Sequence, residues 1–362
     1  METLLESWDR RRVESPSSLA LVSRRENRRL DFRDLEERSR TWRRLLGDDP
    51  RPAALAAPNG SAFLEAFLAL RRLGVSVLSM DSSGTAASRL ELCRRLGVAR
   101  LIHRPGDLRL PAGQEEPESV ALPDGLELLT TGAAAAEPPR GTALIKLTSG
   151  STGDPLAACF ADACLATGIR QIAEGMEITS RDRVLLTLPL SHSYGFDNGV
   201  LSLLVIGTPL ILEPSVFAAD IQRTAETYGA TFLPLVPPLV RSLAGGGWRA
   251  GGLRRVICAG GVLPPEFAAE FRAATGLAVH NFYGSTETGG ICFERRPEEP
   301  EAAGTVGQPL PGVELSLDAA GRVRVDSAAN LIGRLGDSGP ASGPLSVATG
   351  DLGERTAEGR LR

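Results

Sequence analysis

Lysine is almost absent from this chain of 362 residues: of 40 basic residues one is lysine, Lys146, and 39 are arginine. So lopsided a choice reads as compositional bias more than as function. The basic total is outweighed by 44 acidic residues, giving a net charge of -4 and a pI of about 5.7. No basic excess is left over for a polyanion, so nucleic acid is not an expected partner. Histidine is nearly as scarce, and His103, His192 and His280 are nowhere paired at ligand spacing, which argues against zinc. The five cysteines form no CxxC pair, and an odd number cannot all bond within one chain, so a reduced cytoplasm fits best. A signal peptide is also lacking, because residues 1–18 are charged and have no apolar core. The longest apolar run, 200–212, is broken by Gly207 and Pro209 and falls short of the roughly 20 residues a bilayer needs. Membrane insertion is therefore not expected.

What is present is a 42% hydrophobic chain able to bury a large core in two or three lobes. Period-3.6 spacing predicts a helix over 32–46, with Leu35, Trp42, Leu45 and Leu46 on one face, and another over 62–73, with Phe63, Ala66, Phe67 and Leu70. Strand-like runs at 53–57 and 75–79 flank the second helix. The unit recurs as 183–188, 196–206 and 208–212, then as 231–235 and 256–259. This alternation implies an α/β fold, with stacked, mostly parallel sheets flanked by helices in two subdomains. The Pro-, Gly-, Ala- and Glu-rich stretch 111–140 reads as a surface connection. From about Gly304 the period changes to two, over 312–317 and 321–325, so a small β-rich subdomain is expected there. The divisions that follow are 1–140, 141–300 and 301–362.

The segment Leu147-Thr148-Ser149-Gly150-Ser151-Thr152-Gly153-Asp154-Pro155 is a hydroxyl- and glycine-rich loop after a strand-like run, suited to wrapping phosphates. It is not a Walker A loop, since Pro155 and Leu156 occupy the places of its second glycine and its lysine. Two later segments, Asn281-Phe282-Tyr283-Gly284-Ser285-Thr286-Glu287-Thr288 and Ala348-Thr349-Gly350-Asp351, complete an ordered set of three.

Together these motifs resemble the adenylate-forming (AMP-binding) superfamily, which includes acyl- and aryl-CoA synthetases, adenylation domains of nonribosomal peptide synthetases, and luciferases. The resemblance runs from Leu30-Asp31-Phe32 to Asp351. It implies ATP-dependent activation of an acyl or aryl acid as its adenylate, with Mg²⁺, and transfer to CoA or a carrier-protein phosphopantetheine. Fatty acid metabolism is one setting. It also implies that the β-rich subdomain is a distorted barrel.

By the same resemblance Thr148, Ser149, Gly150, Ser151, Thr152 and Gly153 surround the β- and γ-phosphates. Gly260 and Gly261 line the adenine, Tyr283 is the aromatic plate against it with Gly284 beside it at the cofactor, and Thr286 donates to the α-phosphate. Glu287 holds Mg²⁺, Asp351 takes the ribose hydroxyls, and His192 lines the carboxylate or thiol route. The carboxylate is already the nucleophile, so this chemistry calls for donors and a metal rather than a catalytic triad.

Three departures stand out. Leu156 and Ala157 follow Pro155 where the family has Lys-Gly, and Ser191 replaces the common Phe before His192. The chain also ends eleven residues after Asp351, without the family's lid domain. A lid domain or a carrier protein acting in trans is thus an expected partner. Two alternatives stay open: a degenerate, non-catalytic nucleotide- or acyl-binding module, and an amino-acid-activating domain. For the second, Asp197 sits near the position that meets a substrate amine, unless it only caps the helix that follows.

Overall fold

The computed structural model describes residues 2–106, 117–148, 156–249, 251–299, 302–337 and 343–362. Two large sheets and one small one organise them. The nine-stranded sheet runs edge to edge through Gln308–Pro309, Gly289–Phe293, Val279–Ser285, Arg255–Cys258, Phe232–Leu235, Val184–Leu186, Leu210–Leu212, Leu19–Ser23 and Arg28–Asp31. The eight-stranded sheet runs through Gly333–Arg334, Ala157–Ala161, Thr142–Leu147, Val77–Ser79, Ala53–Ala56, Arg100–His103, Leu126–Thr130 and Ser119–Leu122. Both are parallel at the centre, with antiparallel pairs added towards their edges. This is the expected α/β architecture. Central strands are buried on both faces and need helical crossovers, whereas edge strands can be laid down by hairpins.

Period-two alternation explains the layering. In the nine-stranded sheet Val184, Leu186, Leu210, Leu212, Phe232 and Ile257 face the main core. Their neighbours Leu185, Ile211, Leu233, Leu235, Val256 and Cys258 face a second cluster with Ile221, Val240, Leu243, Trp248 and Phe271, supplied by helices on the outer side. The main core draws on both large sheets and on the helix Ser61–Arg72, which is buried nearly all round. All five cysteines are buried free thiols. Burial pushes Cys93, Cys159, Cys258 and Cys292 up to about 12, so none is a nucleophile at neutral pH.

The helix Phe32–Leu46 begins as expected. Asp31 accepts from the Asp34 N–H at 2.7 Å and Asp34 accepts from the Asp31 N–H at 3.1 Å, closing a reciprocal cap. Its buried face is Phe32, Leu35, Glu36, Ser39, Trp42 and Leu46. Leu45, expected on that face, is 42% exposed. It lies on the flank, while polar Glu36 goes inside to accept from Trp8 Nε1 at 2.8 Å and from Arg72 at 3.1 Å.

Three other expectations are corrected. The stretch 111–140 is more than a connection, because Ser119–Leu122 and Leu126–Thr130 form an antiparallel hairpin that widens the eight-stranded sheet. The boundary at 140 does not coincide with the sheets: Leu19–Ser23 and Arg28–Asp31 join the nine-stranded sheet, and Thr142–Leu147 joins the eight-stranded one. The small sheet, Val313–Leu317, Arg322–Ser327 and Val347–Leu352, is antiparallel as its alternation predicts. Its strand order is linear, so among the described residues it does not close into a barrel.

Candidate active site

A cavity of about 320 Å³ opens where chain segments leave the carboxyl ends of the parallel strands Val184–Leu186, Arg255–Cys258 and Val279–Ser285. Ligands of open α/β sheets bind at such ends. His192, Gly260, Gly284 and Thr286 line it together with Tyr194, Asp197 and Asn198. Residues far apart in sequence thus meet around one cavity.

Gly284 needs to be glycine for packing. A Cβ there would run into the backbone carbonyl of Gly289, across the tight turn that carries Thr286 and Glu287. That turn is braced by a 3.0 Å contact between the Ser285 and Thr288 hydroxyls. The Leu331 N–H, donating to the Glu287 carbonyl at 2.9 Å, ties it to the loop before Gly333. The half-buried Glu287 carboxylate is left without an ion-pair partner among the described residues. Nor do three or more His, Cys, Asp or Glu side chains gather there into a metal cluster. One carboxylate still fits Mg²⁺, which keeps waters and takes other ligands from phosphates.

Tyr283 and Asp351 come from different sheets and meet: the Tyr283 hydroxyl donates to Asp351 Oδ2 at 2.6 Å and lies 3.1 Å from Thr349 Oγ1. Burial first, and the Asp351 carboxylate second, push the Tyr283 phenol upward, so it stays a donor. Asp351 itself is exposed, as are Gly260 and Gly261 on the loop after Arg255–Cys258. Thr148 is at the end of Thr142–Leu147, where its N–H donates to the Leu156 carbonyl at 2.9 Å. Ser149, Gly150, Ser151, Thr152 and Gly153 lie outside the described residues.

His192 is held from the opposite sheet. Asn59 clamps the preceding loop, donating to the Leu188 carbonyl at 2.7 Å and accepting from the Leu190 N–H at 2.8 Å. Ser79 donates to the Ser191 carbonyl at 3.0 Å. The imidazole is largely exposed, and its nearest carboxylate, Asp81, is 3.8 Å away. It is a wall of the cavity rather than part of a charge relay.

Sequence reasoning missed what lies at the inner end. Lys146 projects from its strand to place Nζ 2.7 Å from Asp197 Oδ1, with side-chain exposures of 4% and 9%. The ammonium also lies 5.1 Å from the centre of the Phe160 ring and 5.9 Å from that of Phe196, a cation–π setting for a desolvated charge. Asp197 belongs to a π-helix, Phe196–Ile206, where an α-helix was expected, and its carboxylate caps nothing. π-Turns are rare and cluster at functional sites. The available signal was the lone lysine on an inward position of a strand, since a buried ammonium requires a partner.

The chain belongs to the AMP-binding enzyme family, whose model matches residues 8–339. Among relatives, a (7a-methyl-1,5-dioxo-octahydro-1H-inden-4-yl)propanoyl:CoA ligase of Mycobacterium tuberculosis is 26% identical, the match covering 100% of this chain and 78% of that one. The sulfoacetate–CoA ligase of Cupriavidus necator is 29% identical over 68% of this chain, which spans 53% of that protein's length. The o-succinylbenzoate coenzyme A synthetase of Bacillus subtilis, solved with AMP, superposes with a TM-score of 0.81. At 21% identity over 98% of this chain and 96% of that one, it shows the same fold.

Proposed function

We propose that this chain binds ATP with Mg²⁺ and joins AMP to a carboxylic acid, releasing pyrophosphate, as the first half of acid–CoA ligation. The observation that carries the reading is the single cavity. Gly260, Gly284 and Thr286 line it together with Asp197 and Asn198, so a nucleotide and an acid share one space. In this reading Tyr283 and the Gly260–Gly261 loop hold the adenine, Asp351 the ribose, and Thr286 donates to the α-phosphate. Thr148 with Ser149, Gly150, Ser151, Thr152 and Gly153 receives the outer phosphates.

Glu287 is the residue that would hold Mg²⁺, which when bound neutralises charge on the phosphate oxygens. The protein's own task is alignment. His192 and the clamped 188–191 loop orient the carboxylate towards the α-phosphorus, and fixed donors meet the charge that develops. CoA, or a carrier-protein thiol, then takes the acyl group, and a lid domain in trans is a partner for that step. The test is acid-dependent pyrophosphate release with ATP and Mg²⁺. Release that depends on the acid and falls in a Glu287→Ala variant supports the reading; ATP binding with no release for any acid, with or without a lid domain added, overturns it.

A further inference from the structure

Three segments distant in sequence are laced together by backbone hydrogen bonds. The Thr148 N–H donates to the Leu156 carbonyl, the Leu335 N–H to the Ala157 carbonyl and the Leu331 N–H to the Glu287 carbonyl, each at 2.9 Å. Residues 147–157, 284–290 and 331–337 therefore converge. Between them they hold three acids, Asp154, Glu287 and Asp337, and a single base, Arg334.

The register of the eight-stranded sheet puts Arg334 on the face that matters. Lys146 pairs with Ala158 and Ala158 with Arg334, so the three stand in one row, and cross-strand partners share a face. That face looks on the turn after Glu287, because Lys146 and Phe160 line one narrow cleft with Thr288 and Gly289. Of the row's two cations, Lys146 is engaged by Asp197 at 2.7 Å. Arg334, at the sheet's edge, is exposed, and its guanidinium makes no ion pair or hydrogen bond with the described residues. Asp337, three residues on, accepts from the Arg334 backbone N–H at 2.7 Å instead.

Resting on the adenylation reading, we propose that Arg334 is a further nucleotide-binding residue, whose guanidinium pairs with the outer phosphates of ATP and then with the departing pyrophosphate. A triphosphate carries more negative charge than one Mg²⁺ beside a carboxylate balances, so a fixed cation at its outer end lowers the charge left uncompensated. Arg334 is the one base those three segments supply. A guanidinium offers a planar fork that meets phosphate oxygens in pairs, and it stays charged at any working pH. AMP has no outer phosphates. Arg334 thus separates ATP from AMP and does not hold the nucleoside.

The experiment measures calorimetric binding of MgATP, AMP and inorganic tripolyphosphate to the wild type and to Arg334→Ala, Arg334→Gln and Arg334→Lys, with folding checked by circular dichroism. Arg334→Ala and Arg334→Gln are expected to bind MgATP and tripolyphosphate about tenfold more weakly, with AMP affinity held to within about twofold. Arg334→Lys should retain part of the affinity, since it keeps the charge and loses the fork. The loss should shrink as salt is raised, because the guanidinium is exposed. Equal losses for MgATP and AMP, or no loss for either, overturn the proposal and leave Arg334 as a charge that guards a sheet edge. Acid-dependent pyrophosphate release is followed in parallel. A selective loss of MgATP binding in a protein that releases no pyrophosphate upholds the role of Arg334 and counts against adenylation. Release with an ATP-to-AMP affinity ratio unmoved by Arg334→Ala does the reverse, and a wild type that binds neither MgATP nor tripolyphosphate overturns both.

Discussion

At the outer end, around the cavity's mouth, the groups assigned to the nucleotide are backbone and turns. Gly260 and Gly261 are exposed, Gly284 excludes a side chain because Gly289 is in the way, and Asp351 stands in solvent, anchored by Tyr283. At the inner end the walls are packed side chains: Asn198 is fully buried, and Lys146 and Asp197 face each other beneath two aromatic rings. The outer end is made of backbone and exposed polar groups, which in the proposed reading receive the nucleotide. The inner end stores a buried charge pair whose geometry only this chain's packing fixes. Changes at the inner end should therefore be felt as stability and selectivity, and changes at the outer end as turnover.

The largest effect expected is from Lys146→Met alone. It leaves the Asp197 carboxylate buried without its ammonium, which costs about 3–5 kcal/mol of unfolding free energy. The double variant Lys146→Met/Asp197→Leu should recover most of that loss, because an apolar pair of similar volume avoids the desolvation cost altogether. Denaturant titration of the wild type and both variants checks this. If the single variant is as stable as the wild type, the inner end is not the over-determined structure described above. At the outer end, Glu287→Ala should lower the rate of pyrophosphate release by about 10²–10³. Its stability should stay within about 0.5 kcal/mol of the wild type, since the half-buried carboxylate has no ion-pair partner among the described residues. The contrast between the two ends fails if Glu287→Ala unfolds the protein or leaves its rate intact.

The same division decides what was legible in the sequence. The outer end is written in contiguous words: Tyr283, Gly284, Thr286 and Glu287 lie within one strand and turn, so the family resemblance could be recognised there as one motif. The inner end depends on Lys146 and Asp197, which are 51 positions apart. Each was visible singly, one as the chain's lone lysine and the other as an amine acceptor or helix cap, but nothing local announces that they meet. The hairpin of Ser119–Leu122 and Leu126–Thr130 was missed for a related reason. An edge hairpin gains its order from a neighbouring strand, here Arg100–His103, and its first strand is mostly exposed, so a stretch rich in proline and glycine gave no period to read. Helix Phe32–Leu46 was readable because its cap and apolar stripe are both local.

A titratable group away from both ends tests whether burial alone produces the inner end's behaviour. His103, on the strand Arg100–His103, is fully buried, with Arg89 3.4 Å from Nδ1 and Glu127 3.2 Å from Nε2. Burial, helped by the Arg89 guanidinium, pushes it down to about 4. With the folded value below the unfolded one, the unfolded chain takes up a proton first as pH falls. Stability is complete above about pH 6.5 and declines towards pH 4, by up to about 3 kcal/mol. Unfolding titrations at pH 7 and pH 5 should show this slope in the wild type and a shallower one in His103→Gln. Equal slopes would mean that the imidazole binds its proton equally in the folded and unfolded chains, and a slope steeper in His103→Gln than in the wild type would mean that Glu127 holds it charged in the fold.

The smallest effect separates anchoring from stacking at the outer end. Tyr283→Phe keeps the ring, and with it the surface offered to a base, but removes the 2.6 Å bond that holds the Asp351 carboxylate in place. The substitution unburies nothing and opens no cavity, so unfolding should change little. What changes is the freedom of an exposed carboxylate that, in the proposed reading, must be ordered again when a nucleotide arrives. One hydrogen bond of this kind is worth about 1 kcal/mol net, which predicts roughly fivefold weaker ATP binding by calorimetry. Asp351→Asn should weaken binding at least as much, since it alters the acceptor itself. If Tyr283→Phe binds ATP as the wild type does while Asp351→Asn does not, the aspartate is placed by its own strand, Val347–Leu352, and the tyrosine serves only as a surface for the base.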